Sequence, residues 1–487
     1  MDNAAAIATT LVIYSTLCLL LGLVAWRRTA SLEDFILGGR SLGSFVTALS
    51  AQASDMSGWL LLGLPGLAYA SGLDAVWLVA GLVAGTWANW RFVAAPLRRR
   101  TEQLADALTL PDYFERCFED RSRLLRTITA LFVLVFFVFY TSSGFVAAGR
   151  LFETLFGLPY TEAMLWGSAV MLAYTFLGGF LAVSWSDVLQ GTLMFLALVL
   201  VAIGGLWLSG GPGPTLATIA ARDATLLDPL AGETGAALGV VGVLSLLGWG
   251  LGYPGQPHIL ARFMAIRHAD EIRLARRVAM SWVVVVLVAA VIVGLAGHVL
   301  LPRPLQGTDA EKVFIVSSAQ LFPPVVAGVC MSGVLAAIMS TASAQLLVAS
   351  SAFAEDLYRG LLRPSAERRE LLWIGRAAVL AVAALGFWLG LDPESEVLSL
   401  VGWAWAGFGA AFGPAIVLSL YWPRMTRNGA LAGIVAGALT VILWKHVAGP
   451  LAPLYELVPG FLFATLAIVV VSRVGSWRRR GFAGASG

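Results

Sequence analysis

Asp55 is the one acidic residue between Arg40 and Asp74, and it stands in the stretch Ser50-Ala51-Gln52-Ala53-Ser54-Asp55-Met56-Ser57-Gly58-Trp59. The surrounding run is apolar and long. A carboxylate at the depth of a lipid bilayer is costly unless it is paired or coordinated. Ser54, Ser57 and Gly58 weaken a helix locally. A broken helix offers free carbonyls and amides, which a bilayer tolerates only where they line a cavity. Backbone carbonyls, hydroxyls and one carboxylate are hard oxygen donors suited to a small cation. The same residues are also explained if Asp55 caps a half-helix or pairs with a distant base.

Two further clusters carry comparable chemistry. Gly248-Trp249-Gly250-Leu251-Gly252-Tyr253-Pro254-Gly255-Gln256-Pro257 holds four glycines and two prolines in ten residues. No regular helix survives that composition. Unwound backbone flanked by aromatic faces makes a pocket for a small amphiphilic solute; an ordinary loop start would have the same look. Ala336-Ala337-Ile338-Met339-Ser340-Thr341-Ala342-Ser343 places Ala337 with Thr341, and Ala336 with Ser340, on shared helix faces. Small residues admit a close neighbour, and the hydroxyls can ligate a cation; close helix packing alone also accounts for them. Tyr140 ends the aromatic stretch Phe136-Phe137-Val138-Phe139-Tyr140. Arg40 and Asp187 are placed at cytoplasmic helix ends, where gating ion pairs and simple solvation both fit.

These residues need a scaffold that spans a membrane. Of 487 residues, 59% are hydrophobic and 13% charged, and mean hydropathy is +0.82. Soluble domains carry about 25% charge, so so few charges cannot cover a soluble surface. Disorder is excluded by the hydrophobicity, and nucleic-acid binding by the lack of a basic surface at a net charge of +3. Three scattered cysteines and four scattered histidines form neither a disulfide framework nor a metal site. No nucleophile elbow, zinc-protease motif or phosphate-cradling loop is found, which excludes an ATP-driven pump and argues against an enzyme.

A bilayer span takes about 20 apolar residues. Thirteen runs qualify: 5–26, 42–70, 73–95, 124–153, 161–184, 188–209, 236–254, 278–300, 318–352, 371–390, 396–420, 428–446 and 456–474. They do not alternate in polarity, so an all-α polytopic membrane protein is expected, not a barrel. Of 32 Lys and Arg, 26 fall in the segments 27–41, 96–126, 255–277, 353–376, 421–427 and from 473 onward; Arg222, Arg303, Lys312 and Lys445 fall on the other side. The positive-inside rule then puts the N-terminus outside and the C-terminus in the cytoplasm. Asp2 before the first run and Arg27-Arg28 after it read as a retained first helix, not a signal peptide. No long loop interrupts the chain, so a single transmembrane domain over 1–487 is expected.

Several stretches together resemble the sodium:solute symporter family, and within it the bacterial sodium/proline branch. They are Phe35-Ile36-Leu37-Gly38-Gly39-Arg40-Ser41-Leu42-Gly43, Ala53 through Leu60, and Leu108-Thr109-Leu110-Pro111-Asp112-Tyr113-Phe114. Gly178-Gly179-Phe180-Leu181-Ala182-Val183-Ser184-Trp185, Gly248 through Phe263, and Ala406 through Pro414 complete the set. The resemblance implies a five-plus-five inverted-repeat (LeuT-like) core at 42–420 whose two discontinuous helices are the second and seventh runs. Segment 1–41 supplies a first helix and loop, and 421–487 two extra helices and a short tail. It implies inward transport of L-proline driven by sodium across the cytoplasmic membrane by alternating access, with no cofactor beyond the coupling ion. By the same resemblance, carbonyls of Ala53, Met56 and Ala337 and hydroxyls of Ser340 and Thr341 hold sodium, with Asp55 required for coupling. Ser57, Gly58, Trp59, Tyr140, Trp249, Tyr253 and Pro257 form the substrate pocket. Arg40, Ser50 and Asp187 serve gating and coupling. The residues alone leave open a sodium symporter for another small solute, and a membrane sensor or channel.

Overall fold

The structure, a computed structural model, describes residues 3–26, 37–177, 180–232 and 235–483. Arg27, Arg28, Phe35-Ile36 and Gly178-Gly179 of the sequence reading lie outside the described residues. The chain is helical, and among the described residues the only β features are two isolated bridges, Leu42 with Ile266 and Ala231 with Ala237. Nine of the described helical segments are long and apolar enough to cross a membrane. The remaining apolar runs form shorter or interrupted helices.

In order, the first half contains α1 (Asn3–Trp26), α2 (Ser44–Asp55), α3 (Leu64–Ser71), α4 (Ala75–Ala88), α5 (Ala94–Gln103), α6 (Leu110–Cys117), α7 (Leu124–Phe156), α8 (Tyr160–Leu177) and α9 (Phe180–Leu208). The second contains α10 (Pro212–Arg222), α11 (Gly239–Gly248), α12 (Pro257–Ala265), α13 (Ile272–Leu300), α14 (Val313–Leu321), α15 (Pro324–Ser351), α16 (Arg368–Leu389), α17 (Val397–Tyr421), α18 (Arg427–Val447) and α19 (Leu457–Ala483). The core of the bundle is α15, which is buried along nearly its whole length from Ala327 to Ser351. α7, α9 and α1 pack around it.

Two runs are discontinuous, as the serine–glycine and glycine–proline compositions imply. α2 stops at Asp55, and a five-residue π turn, Trp59–Gly63, leads into α3. α11 gives way to a 3-10 segment, Trp249–Gly255, which contains Pro254. There the glycines let two backbones touch. A Cβ on Gly250 would stand 2.2 Å from the Gly81 carbonyl oxygen, and one on Gly252 would stand 2.0 Å from the Trp405 indole nitrogen. Glycine therefore sets how closely the broken segment packs on α4 and α17.

Three boundaries differ from the sequence reading. The seventh run does not end at 254: α12 carries the helix on to Ala265, because Pro257 sits at its first turn, where its missing N–H costs nothing. The ninth run splits at Phe322-Pro323 into α14 and α15. The sixth run does not begin near 188: α9 is helical from Phe180 through 185–187 to Leu208. Ser186 satisfies its hydroxyl on the Ala182 carbonyl oxygen of its own helix at 2.9 Å, so the polar stretch Ser184–Asp187 stays helical. Asp187 is thus not at an exposed helix end; it is fully buried in the second turn of α9.

Candidate functional site

The end of α2 explains how the first cluster acquires free oxygens. In a continuous helix the Ser57 amide would bond the Ala53 carbonyl. Here it turns to the Asp55 carbonyl oxygen, at 3.2 Å. The Ala53 carbonyl is released, and α15 takes it: the Ser340 hydroxyl donates to it at 2.7 Å and the Thr341 hydroxyl at 3.2 Å. Ser340 Oγ also lies 3.2 Å from the Ala337 carbonyl oxygen. Two carbonyl and two hydroxyl oxygens, from helices 287 residues apart in sequence, therefore converge. That is an all-oxygen donor set of the kind hard cations select. Met56 lies at the break itself, donating its amide to the Gln52 carbonyl at 2.9 Å.

The Asp55 carbonyl, also exposed by the break, is held from two sides. The Trp59 indole nitrogen donates to it at 3.3 Å and the Tyr140 hydroxyl at 3.2 Å. Trp59 and Tyr140 are thereby fixed against the interruption, and both are buried. Gly58 must be small, since a Cβ there would meet the Ala147 Cβ at 2.7 Å. The Asp55 side chain is fully buried, and neither of its oxygens has a hydrogen-bond partner among the described residues. The Tyr253 hydroxyl faces it and Thr86, short of ordinary hydrogen-bond geometry. A buried carboxylate without a hydrogen bond is among the costliest arrangements a protein can hold, and packing alone does not offset that cost.

The second break meets the first through Tyr253 and the start of α12. Tyr253 packs edge-on against Trp405 with ring centres 4.9 Å apart, and Asn89 donates to its carbonyl at 3.2 Å. Pro257 opens α12 and lines a narrow cavity of about 30 Å³ with Val133, Met264 and Leu347. That cavity shares Leu108 and Thr109 with a polar basin of about 590 Å³ bordered by Asp112, Arg126 and Glu355. Trp249 is held by other partners. It stacks on Tyr455 at 5.3 Å, and its carbonyl accepts from Trp405 at 2.8 Å.

The residues assigned to gating fall into two separate groups. Ser50 donates to Asp187 at 2.6 Å, and Asp187 is ion-paired at 3.4 Å with Arg262, both side chains being fully buried. Arg262 Nε also reaches Ser50 Oγ at 3.2 Å. Arg40 instead binds the Met264 carbonyl at 2.8 Å, the Ala107 carbonyl at 2.9 Å and Asp106 at 3.2 Å. It fastens the base of α12 to the loop before α6. Arg262 was missed in the sequence because it counted as one of the loop charges of 255–277. Its spacing of four from His258, on a helix begun by Pro257, was the available signal.

Comparison with known proteins places this geometry. The sodium:solute symporter family matches residues 35–437. The sodium/proline symporter of Escherichia coli (strain K12) is 51% identical over 472 residues, covering 96% of this chain and 92% of that protein. The high-affinity proline transporter PutP of Bacillus subtilis (strain 168) is 48% identical over 455 residues, with 93% and 95% covered. Among solved structures, a substrate-bound, outward-open sodium-coupled sialic acid symporter aligns with a TM-score of 0.77 at 19% identity, covering 96% of this chain and 98% of that one. The likeness to it is one of fold.

Proposed function

The chain belongs to the sodium:solute symporter family, and from that membership we propose that it imports L-proline across the cytoplasmic membrane, driven by sodium moving inward. The observation that carries the reading is the join between α2 and α15. The Ala53 carbonyl, freed by the break, meets the hydroxyls of Ser340 and Thr341 beside the unpartnered Asp55 carboxylate. Sodium is held by the carbonyls of Ala53, Met56 and Ala337 and by the hydroxyls of Ser340 and Thr341, with Asp55 as the buried negative charge. Proline sits against Ser57, Gly58, Trp59, Tyr140, Tyr253 and Pro257, with Trp249 closing one end. Arg40, Ser50 and Asp187 act in the inward release of both. The chain is one transporter domain. Thirteen passes form it, with a five-plus-five inverted repeat over 42–420, the N-terminus outside and the C-terminus in the cytoplasm.

Mechanism follows from the join. An ion shared between α2 and α15 fixes the end of α2, and α2 carries Trp59 and orients Tyr140 through the Asp55 carbonyl. Ion binding thus shapes the solute pocket. Coupling needs this difference, because an ion with equal affinity for both conformations shifts nothing. The test is uptake of labelled proline into proteoliposomes with and without an imposed inward sodium gradient. Accumulation only with the gradient is expected, and its loss in Asp55→Cys with the protein still inserted. Gradient-independent entry, or normal sodium-driven uptake by Asp55→Cys, defeats the reading.

A further inference from the structure

We propose that His258 is a substrate-binding residue whose imidazole N–H donates a hydrogen bond to the carboxylate of the transported imino acid, an inference that rests on the function proposed above. His258 is fully buried, and neither ring nitrogen has a hydrogen-bond partner among the described residues. A neutral imidazole carries one donor and one acceptor. Leaving both unmet in a protein interior costs free energy twice, so a pure packing role is the expensive explanation.

The position of the ring says what would meet it. It lies edge-on to Tyr140 with ring centres 5.7 Å apart, and edge-on to Phe137 at 5.9 Å. It follows Pro257 directly at the start of α12, facing the helix that bears Tyr140. Its neighbours are already committed. Tyr140 donates to the Asp55 carbonyl. Arg262, one turn further along α12, binds Ser50, Asp187 and the His258 carbonyl. The buried polar atoms without a hydrogen bond here include the two Asp55 oxygens, which face the Tyr253 hydroxyl, the Gln256 side-chain carbonyl oxygen and the two His258 nitrogens.

That inventory suits a zwitterion with a secondary ammonium. The ammonium needs acceptors, which Asp55 supplies. The carboxylate needs a donor, and the His258 N–H is the one not already turned to another acceptor. The apolar ring of the solute is left to the aromatic faces of Trp59, Tyr140 and Phe137. Arg262 cannot serve the carboxylate, because Asp187 already neutralises it. The imidazole therefore sets selectivity for a solute with a carboxylate.

The experiment uses purified full-length chain in proteoliposomes under an inward sodium gradient. Labelled L-proline uptake is measured for wild type, His258→Phe and His258→Gln, with L-prolinamide, which lacks the carboxylate, as unlabelled inhibitor. A lost bond to a charged partner is worth about tenfold or more in affinity. We expect His258→Phe to raise KM for proline about tenfold or more, with the half-saturating sodium concentration and prolinamide inhibition changed by less than about twofold. His258→Gln, which keeps a donor, recovers part of the loss. Unchanged proline KM in His258→Phe overturns the inference, as does a parallel loss of prolinamide inhibition, which marks a merely structural role. Failure of the wild type to accumulate proline strikes the proposed function instead, so the two failures are told apart.

Discussion

In the proposed assignment the hydroxyls of Ser340 and Thr341 serve the ion and the indole of Trp249 the solute, and the geometry makes that division measurable. The hydroxyls sit 2.7 and 3.2 Å from the Ala53 carbonyl oxygen. Trp249 stacks on Tyr455 instead. Ser340→Ala and Thr341→Ala are therefore expected to raise the half-saturating sodium concentration about tenfold, with Trp249→Ala acting on proline KM and leaving sodium within about twofold. Equal sodium shifts across all three variants would remove the separation of ion and solute sites. At this scale much of the site was legible in the sequence, because a solitary acid in an apolar run announces its own cost. Arg262 and His258 were not legible. Both follow a glycine–proline segment that reads as the start of a cytoplasmic loop, and only the continuation of α12 to Ala265 carries them into the interior.

Element boundaries follow a related rule. The apolar runs located the helices, yet hydropathy alone cannot say where a span pauses. Phe322-Pro323 interrupts an apolar stretch without a polar residue to mark it, and α14 separates from α15 there. The 3-10 turn Gly307–Lys312 before α14 shows what such connectors do. Glu311 is buried on it, accepting from the Val397 and Leu398 amides at 3.0 Å each, the first residues of α17. A carboxylate at a helix N-terminus satisfies amides that have no partner within the helix. Burial nevertheless pushes its pKa up from 4.5 to about 7, with the two amides pulling the other way. The folded value exceeds the unfolded one, so the contribution to stability is fully present below about 4.5 and is lost as pH rises through about 7. The difference in Tm between wild type and Glu311→Gln in detergent is expected to shift against the wild type as pH goes from 4.5 to 8. A difference independent of pH would mean that Glu311 titrates normally and holds α17 by hydrogen bonding alone.

For the whole molecule the question is how ion energy reaches the solute, and in the proposed mechanism it passes through one joint. α15 runs through the centre of the bundle, and the interrupted helices meet beside it: α2 through Ala53, and α12 by packing on it while His258 meets Tyr140 of α7. Both halves of the chain thus report to one small oxygen cluster. If a single sodium crosses with each zwitterionic proline, one net positive charge moves inward per cycle. A charge crossing 100 mV releases about 2.3 kcal/mol, and each 1.4 kcal/mol is a factor of ten. With equal sodium on both faces, a potassium diffusion potential of 100 mV, negative inside, should then support about 40-fold accumulation of labelled proline in proteoliposomes. Replacing sodium with choline should abolish it. Accumulation indifferent to the potential would require an electroneutral cycle, with a compensating charge moving along a route that the Ala53–Ser340 joint does not supply. Accumulation near the square of that figure would require a second ion. The Asp55 carboxylate, already the counter-charge of the first sodium, would then serve a second cation as well, and its assignment to the solute's ammonium would have to yield.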